Sequence, residues 1–118
     1  MASTIQIFGV KSCNDTNKAL RFFKERNIKI QFVDLNEKGL SKGELESISR
    51  KGPLELLLDR EGKQFIKRNL EYMIYDLQAE LLNDPLLLRT PITRFSKEAA
   101  VGHTPEIWKK WIDELKKG

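Results

Sequence analysis

The sequence predicts an α/β fold with a strand–helix–strand unit, a helical middle region, and two strands followed by a closing helix. Two short apolar runs near the start, one on each side of an amphipathic stretch, predict the first unit. Residues that typically begin or end helices, such as Ser41 with Glu44 and the Gly-Pro pair at 52–53, indicate helices in the middle of the chain. A Thr-Pro pair before a regularly spaced apolar face predicts the last helix.

The predicted strand–helix–strand unit occupies about the first 35 residues. Residues 5–10 are mostly apolar, which predicts a buried strand. Apolar residues at helical spacing follow from Asn14, and Asn27 is expected to end this helix. Residues 28–35 alternate apolar and polar side chains and predict a second strand. Because a helix connects the two strands, they should be parallel.

The middle of the chain is predicted to be helical. Ser41 and Glu44 have the spacing of a capping box, and the Gly-Pro pair at 52–53 is expected to end the helix that they begin. Residues 54–59 are a short apolar turn of helix, and residues 60–63 are a loop. A further amphipathic helix, which residues 83–85 should end, is predicted from the spacing of three residues: Ile74, Leu77 and Leu81.

Two strands and a helix are predicted at the end of the chain. Residues 92–95 and 99–101 are the strand candidates, and Thr104 with Pro105 should begin the helix. One face of this helix is expected to pack in the core rather than to bind a ligand: Ile107, Trp108, Trp111, Ile112 and Leu115.

This order of elements is that of a thioredoxin-like core with a helical insertion after its second strand. We therefore predict an α/β fold with a four-stranded mixed sheet. The chain should form a single domain, residues 1–118. Its core is expected at about 1–36 and 84–118, and the helical insertion at about 37–83.

Composition excludes several classes of function. One cysteine permits neither an internal disulfide nor a cysteine-rich zinc site, and a single histidine gives no basis for a transition-metal site. No apolar run approaches the ~18 residues of a membrane helix. The net charge of +4 comes from dispersed residues, so we expect no direct binding to nucleic acid. Without an evident signal peptide, we expect the protein in the cytoplasm. We also expect a monomer.

Cys13 lies in the segment VKSCNDTNKAL, where the first strand gives way to the first helix. Unpaired N–H groups and the helix dipole favour a thiolate at such a position. Lys11 adds positive charge, and Thr16 is expected to direct its hydroxyl toward the sulfur and lower the thiol pKa. The polar neighbours favour a reactive thiol over a buried, structural cysteine, although the structural alternative stays open.

Three segments, IFGVKSCNDTNKAL, DPLLLRTPI and VGHTPEIW, carry a resemblance that covers nearly the whole chain. In their order and spacing the chain resembles the arsenate reductase (ArsC)/Spx family. The resemblance implies a thioredoxin-like fold with a helical insertion, and Cys13 as a nucleophile that attacks an oxyanion or exchanges with thiols. It also implies a cis bond between Thr90 and Pro91, whereas a trans bond is the commoner form in general.

The resemblance also indicates where a substrate would bind. Three positions at which arsenate-reducing members carry an arginine are Thr90, Asp59 and His103 here. Neither threonine nor aspartate replaces a guanidinium fork, so we do not expect arsenate to be the substrate. Arg89 is offset by one residue and should point away from Cys13. The candidate substrate-binding residues are Lys11, Asn14, Arg89, Thr90, Pro91, Arg94 and His103.

From the resemblance we expect a thiol-dependent oxidoreductase that uses Cys13, has no bound cofactor, and takes glutathione as co-substrate. Its substrate would be a small thiol or an oxyanion, and its protein partner glutaredoxin or RNA polymerase. The alternative is an Spx-like regulatory protein that binds RNA polymerase without catalysis. Thr16 stands where the Spx branch often has a second cysteine, so oxidation of Cys13 would require an external thiol.

Overall fold

The structure is a computed structural model that describes residues 4–50 and 52–117. In chain order its strands and helices are β1 (Ile5–Gly9), α1 (Asn14–Glu25), β2 (Ile30–Asp34), α2 (Lys42–Ser49), α3 (Lys63–Lys67), α4 (Leu77–Asn83), β3 (Ile92–Phe95), β4 (Glu98–Val101) and α5 (Pro105–Lys117). Short 3₁₀ turns lie at Leu54–Leu57, Leu70–Tyr72 and Pro85–Leu87.

The described residues form two compact units. The first contains the residues up to Asp34 and those from Thr90 onward, and therefore all four strands together with α1 and α5. The second, Leu35–Arg89, contains α2, α3 and α4. Within the described part of the chain, no helix is long and apolar enough to cross a membrane.

The sheet of the first unit has the strand order β2-β1-β3-β4. β1 and β2 are parallel, as the connecting helix predicted, with Ile5 opposite Ile30. β3 is antiparallel to both β1 and β4, with Ile92 opposite both Phe8 and Val101. The predicted four-stranded mixed sheet is therefore confirmed. This topology brings the end of β1, the start of β3 and the end of β4 to the same edge of the sheet.

The core of the first unit lies between one face of the sheet and the helices α1 and α5. Ile5 and Ile7 are fully buried there together with Trp108 and Trp111. The Trp108 indole nitrogen donates a hydrogen bond to Thr93 Oγ1 at 3.1 Å, so its polar atom is satisfied inside the core. The sequence prediction that both tryptophans pack in the core is confirmed.

The predicted helix ends are largely confirmed. Asn27 follows α1 with a φ of 57°, the left-handed conformation that Asn adopts after helices. At the start of α2, the Glu44 N–H donates to Ser41 Oγ at 3.1 Å, and the Ser41 N–H donates to Glu44 Oε1 at 2.9 Å. These two bonds are the predicted capping box, and they satisfy two N–H groups that the helix itself leaves unpaired.

The helix that was predicted around Ile74 begins later in the structure. α4 starts at Leu77, and its N-cap is Asp76, whose Oδ1 accepts a hydrogen bond from the Ala79 N–H at 3.3 Å. Ile74 lies before this cap and is fully exposed, so the prediction that it belongs to the apolar helix face is wrong. The capping signal decides the helix start because it satisfies backbone donors that an earlier start would leave unpaired.

Two further differences come from short or marginal elements. α3 has only five residues and was not predicted, because so short a segment shows no helical period. Ile107 was assigned to the buried face of α5 but is 37% exposed, since it lies at the margin of the face formed by Trp108, Trp111 and Ile112.

Candidate active site

Cys13 is the N-cap residue of α1, and it follows β1 by a tight turn. The Cys13 N–H donates to Val10 O at 3.0 Å, which closes the turn, and the Cys13 carbonyl accepts the first helical bond from the Asn17 N–H at 3.1 Å. Its φ of −88° and ψ of 121° are the extended values usual for an N-cap. The thiol therefore lies at the positive end of the helix dipole, beside the N–H groups of the first turn.

A side-chain hydrogen bond holds the loop before Cys13 in place. The Asn17 amide Nδ2 donates to the carbonyl of Lys11 at 2.8 Å. Because Asn17 belongs to the first turns of α1, this bond fixes the loop to the helix whose N-terminus the thiol caps. Lys11 itself is exposed.

Thr16 packs behind the thiol. It is fully buried, although its neighbours in the first turn are half-buried or exposed. Among the described residues, its hydroxyl has no hydrogen-bond partner. The room for its side chain is provided by Gly9, the last residue of β1. A methyl group on Gly9 would lie 2.6 Å from Thr16 Cγ2, which is closer than carbon atoms can approach.

Thr90 and Pro91 lie across from Cys13, at the start of β3. The Thr90–Pro91 peptide bond is cis, as the resemblance implied. The thiol Sγ donates to the Thr90 carbonyl oxygen at 3.8 Å. The Pro91 carbonyl accepts a hydrogen bond from the Gly102 N–H at 2.8 Å, so the residues after β4 are fixed to the same segment.

The surroundings of Cys13 favour its ionised form. Burial raises the pKa of the Cys13 thiol, but the hydroxyls of Thr16 and Thr90 and the backbone N–H groups of Thr16 and Asp15 lower it, and the net pKa is below the ordinary value. Since no described residue bonds the Thr16 hydroxyl, it can donate to the sulfur once the thiol loses its proton. The expectation that Thr16 and the first-turn amides lower the thiol pKa agrees with this direction.

His103 lies at the same edge of the sheet. It follows Gly102, the residue bonded to Pro91, and its ring packs edge-on against Trp108 with 5.4 Å between centroids. His103 is exposed, so a ligand at this edge could reach it. At this edge Cys13 follows β1, Thr90 precedes β3 and His103 follows β4. These three strands are neighbours in the sheet.

Three other residues that were predicted to bind substrate are Asn14, Arg94 and Arg89. Asn14 is the first residue of α1 and is exposed. Arg94 lies opposite Gln6, three residues before the end of β1. The register gives no side-chain contact for Arg94, and its role in substrate binding stays a prediction. Arg89 belongs to the second unit, where its N–H donates to Leu57 O at 2.7 Å and its Nη2 donates to Leu58 O at 3.5 Å.

Three positions that shape the surroundings of Cys13 were not predicted. Gly9 was taken only as part of the predicted strand at residues 5–10, Asn17 only as part of a helix, and Gly102 was not considered. A glycine directly before the strand–helix turn was the available signal for Gly9, since glycine inside a strand often marks a close approach of another backbone or side chain.

Among residues 4–50 and 52–117, no group of three His, Cys, Asp or Glu side chains could hold a metal ion.

Solved structures with the same architecture come from several bacteria. An arsenate reductase of Vibrio cholerae superposes with a TM-score of 0.78 at 19% identity, covering 94% of this chain and 99% of that one. An ArsC family related protein of Bacteroides fragilis gives a TM-score of 0.77 at 20% identity, with 92% and 97% covered. This chain has the ArsC-like thioredoxin fold. At these identities the similarity establishes the fold and leaves the substrate undetermined.

A comparison with known protein sequences found one similar protein. The uncharacterized protein YusI of Bacillus subtilis is 26% identical over 106 residues, which cover 84% of this chain and 90% of YusI. No family model matches the chain. The solved structures thus confirm the ArsC-like fold that the three sequence segments implied.

Proposed function

We propose that this protein is a thiol-dependent oxidoreductase in which Cys13 is the nucleophile. The observation that carries the proposal is the placement of the thiol at the N-terminus of α1, where hydroxyls and N–H groups lower its pKa. The thiolate is the reactive form of cysteine, and a lowered pKa increases its fraction near neutral pH. The ArsC-like fold supports the same class of chemistry.

The proposed reaction is thiol–disulfide exchange. The Cys13 thiolate attacks one sulfur of a disulfide substrate, so that a bond forms to Cys13 Sγ while the substrate S–S bond breaks and one thiolate leaves. A second thiolate then attacks the outer sulfur of the mixed disulfide and releases Cys13 as a thiolate. The net change is an exchange: one half of the substrate leaves as a thiolate, the other half ends in a disulfide with the second thiol, and a further thiol would be needed to reduce that disulfide. The donors at Thr16 hold the negative charge on Cys13 before and after each cycle.

The second thiol must come from another molecule, because the chain has one cysteine. We propose glutathione as this co-substrate, with glutaredoxin as a protein that could complete the reduction. Thr90 and Pro91 would line the substrate groove. His103, exposed at the same edge, would bind an anionic group of the substrate, such as a carboxylate of glutathione.

We do not propose arsenate as the substrate. The positions at which the resemblance implies oxyanion-binding arginines carry Thr90, Asp59 and His103. Threonine brings no positive charge, and aspartate repels an anion.

Alkylation and exchange kinetics test the proposal. The rate of Cys13 modification by iodoacetamide, measured between pH 5 and 10 by mass spectrometry, should follow a pKa below the free value of about 8.5. Incubation with glutathione disulfide should give a mixed disulfide on the wild-type chain and none on Cys13→Ser. A thiol that titrates at or above the free value, or that does not react in the folded protein, would refute the proposal.

The regulatory alternative predicts a different result. A non-enzymatic protein that binds RNA polymerase would recover polymerase subunits in an affinity experiment with Cys13→Ser as well as with the wild type. It would also lack turnover in the presence of glutathione. Turnover that depends on Cys13 would support the oxidoreductase and count against this alternative.

A further inference from the structure

The excess positive charge of the chain belongs to the unit that contains Cys13. The first unit has twelve Lys and Arg against seven Asp and Glu, whereas the second has nine against ten. The basic residues are dispersed along the sequence, but the fold therefore places their excess on the same unit as the thiol. Part of this excess lies on α1, the helix that Cys13 caps.

Two basic side chains of α1 lie on the same side of the helix as the thiol. Each residue of an α-helix turns by about 100°, so Cys13, Arg21 and Lys24 lie within an arc of about 80°. We call Arg21 and Lys24 the basic pair. Both side chains are exposed, and in residues 4–50 and 52–117 neither makes a hydrogen bond or an ion pair. At a rise of 1.5 Å per residue, they lie about 12 and 17 Å from Cys13 along the helix axis.

The acidic residues of α1 leave this charge largely uncompensated. The Asp15 carboxylate already has a basic partner, because its Oδ1 lies 3.8 Å from Lys18 Nζ. Glu25 follows Arg21 by four residues and is exposed, but no ion pair joins the two among the described residues. The basic pair therefore presents a net positive charge to solvent on the side of the helix where the thiol lies.

This charge acts on an approaching molecule rather than on the thiol. The groups that lower the pKa of Cys13 are hydroxyls and backbone N–H groups, and no charged side chain is among them. At low ionic strength, exposed charges attract an oppositely charged partner over tens of ångströms and increase its rate of association. The basic pair is thus placed to select an anionic partner for Cys13.

We propose that the disulfide substrate of Cys13 is a segment of another protein with acidic side chains four and five residues from its reactive half-cystine. This inference rests on the proposed thiol–disulfide exchange and names its substrate class. An extended chain advances about 3.3 Å per residue, so four and five residues match the distances from Cys13 to Arg21 and Lys24. A nucleic acid would also suit a basic helix, but it offers no disulfide to the thiol.

Three symmetric peptides provide the probe. The acidic peptide is Glu-Glu-Gly-Ser-Gly-Cys-Gly-Ser-Gly-Glu-Glu with capped ends, and two controls carry glutamine or lysine in place of glutamate. The cysteine of each forms a disulfide with 2-thiopyridine. The Cys13 thiolate attacks the peptide sulfur, a mixed disulfide forms, and the pyridine thiolate leaves, takes a proton from water and is measured by its absorbance.

The rates are compared at two ionic strengths. At about 10 mM salt, where the Debye length is about 30 Å, the acidic peptide should react about tenfold faster than the glutamine peptide, and the lysine peptide should be the slowest. At about 1 M salt the Debye length is about 3 Å, so the three rates should agree within about twofold.

Charge-neutralising variants locate the effect. Arg21→Gln/Lys24→Gln should react equally with the acidic and glutamine peptides, while its iodoacetamide profile stays that of the wild type, because this reagent is neutral. Lys116→Gln/Lys117→Gln is the matched control, since it removes the same charge at the exposed end of α5 and should keep most of the preference. Glu25→Gln should increase the rate with the acidic peptide, because it removes a negative charge beside Arg21.

Four results would overturn the proposal. The first is equal rates for the three peptides at low salt, which would leave the oxidoreductase proposal intact. The second is an equal loss of preference in Lys116→Gln/Lys117→Gln, which would show an effect of net charge alone. The third is binding of a short DNA duplex at physiological salt that Arg21→Gln/Lys24→Gln abolishes, which would make a nucleic acid the occupant. The fourth is a Cys13 that reacts with none of the peptides, which would overturn both proposals.

Discussion

The substitution Gly9→Ala tests whether the end of β1 sets the reactivity of the thiol through Thr16. The new methyl group would lie 2.6 Å from Thr16 Cγ2, about 1 Å closer than the ordinary contact distance between carbon atoms. Thr16 is fully buried, so it can make room only by changing rotamer or by moving the first turn of α1. Either change moves its hydroxyl relative to Cys13.

The size of the effect follows from the hydrogen bond that is weakened. A hydrogen bond to a charged group contributes about 1.5–3 kcal/mol, and one pKa unit corresponds to about 1.4 kcal/mol. Partial loss of the Thr16 hydroxyl should therefore raise the pKa of Cys13 by about one unit. Below the pKa, the thiolate fraction and the alkylation rate should fall about tenfold. Overpacking should also lower the free energy of unfolding by about 1–3 kcal/mol.

The assay is the pH profile of iodoacetamide alkylation, together with urea unfolding of the same samples. Gly43→Ala is the matched control, because a methyl group on Gly43 would meet no atom within 4 Å. Gly43 lies in α2, and alanine there should stabilise the protein by up to about 1 kcal/mol without changing the alkylation profile.

Thr16→Val separates the hydroxyl from the packing, since valine keeps the shape and removes the donor. It should reproduce the increase in the Cys13 pKa that Gly9→Ala causes. If Gly9→Ala leaves the alkylation profile unchanged, the contact between Gly9 and Thr16 does not control the thiol. If Thr16→Val alone leaves it unchanged, the backbone N–H groups are sufficient and the assignment of the hydroxyl is wrong.

Three further results are expected. The folded protein has a lowered Cys13 pKa, so between that pKa and the unfolded value the unfolded chain binds more protons. The free energy of unfolding relative to Cys13→Ser should therefore rise with pH across this window and stay constant below and above it, as urea titrations at several pH values would show. Thr93→Val should cost about 1–3 kcal/mol, because it leaves the Trp108 indole N–H buried without a partner, and equal stability in calorimetry would contradict this. Ser41→Ala should cost about 1 kcal/mol and Ser41→Asp much less, since aspartate also caps; equal losses in urea unfolding would show that the capping box is not responsible.

Local signals were sufficient to predict most of the fold. The parallel pair β1 and β2, the capping box at Ser41 and the packing of Trp108 follow from periodicity and capping, which act within a few residues. Ile74 was misassigned because its spacing fits a helix, while the cap at Asp76 excludes it. Apolar spacing alone does not show whether a residue has a surface to pack against.

The candidate site was only partly predictable, because it is assembled from distant parts of the chain. Cys13 and Thr16 lie on one helical turn, so their relation was visible from spacing. The resemblance, and not the residue pattern, implied the role of Thr90. The contact of Gly9 with Thr16 depends on the close approach of a strand end to a helix. The position of Arg94 depends on the β1–β3 register, which the sequence does not define.

The groups that lower the Cys13 pKa indicate what kind of substrate the site can accept. They are hydroxyls of Thr16 and Thr90 and backbone N–H groups, all of them neutral. Such donors stabilise one negative charge on the sulfur, but a bound oxyanion would need the same donors and would repel the thiolate. A disulfide brings no charge to the atom that is attacked, so the donors can remain on Cys13 throughout the approach. The neutral donor set is therefore consistent with the proposed disulfide exchange, whereas reduction of an oxyanion would require further positive groups at this cysteine.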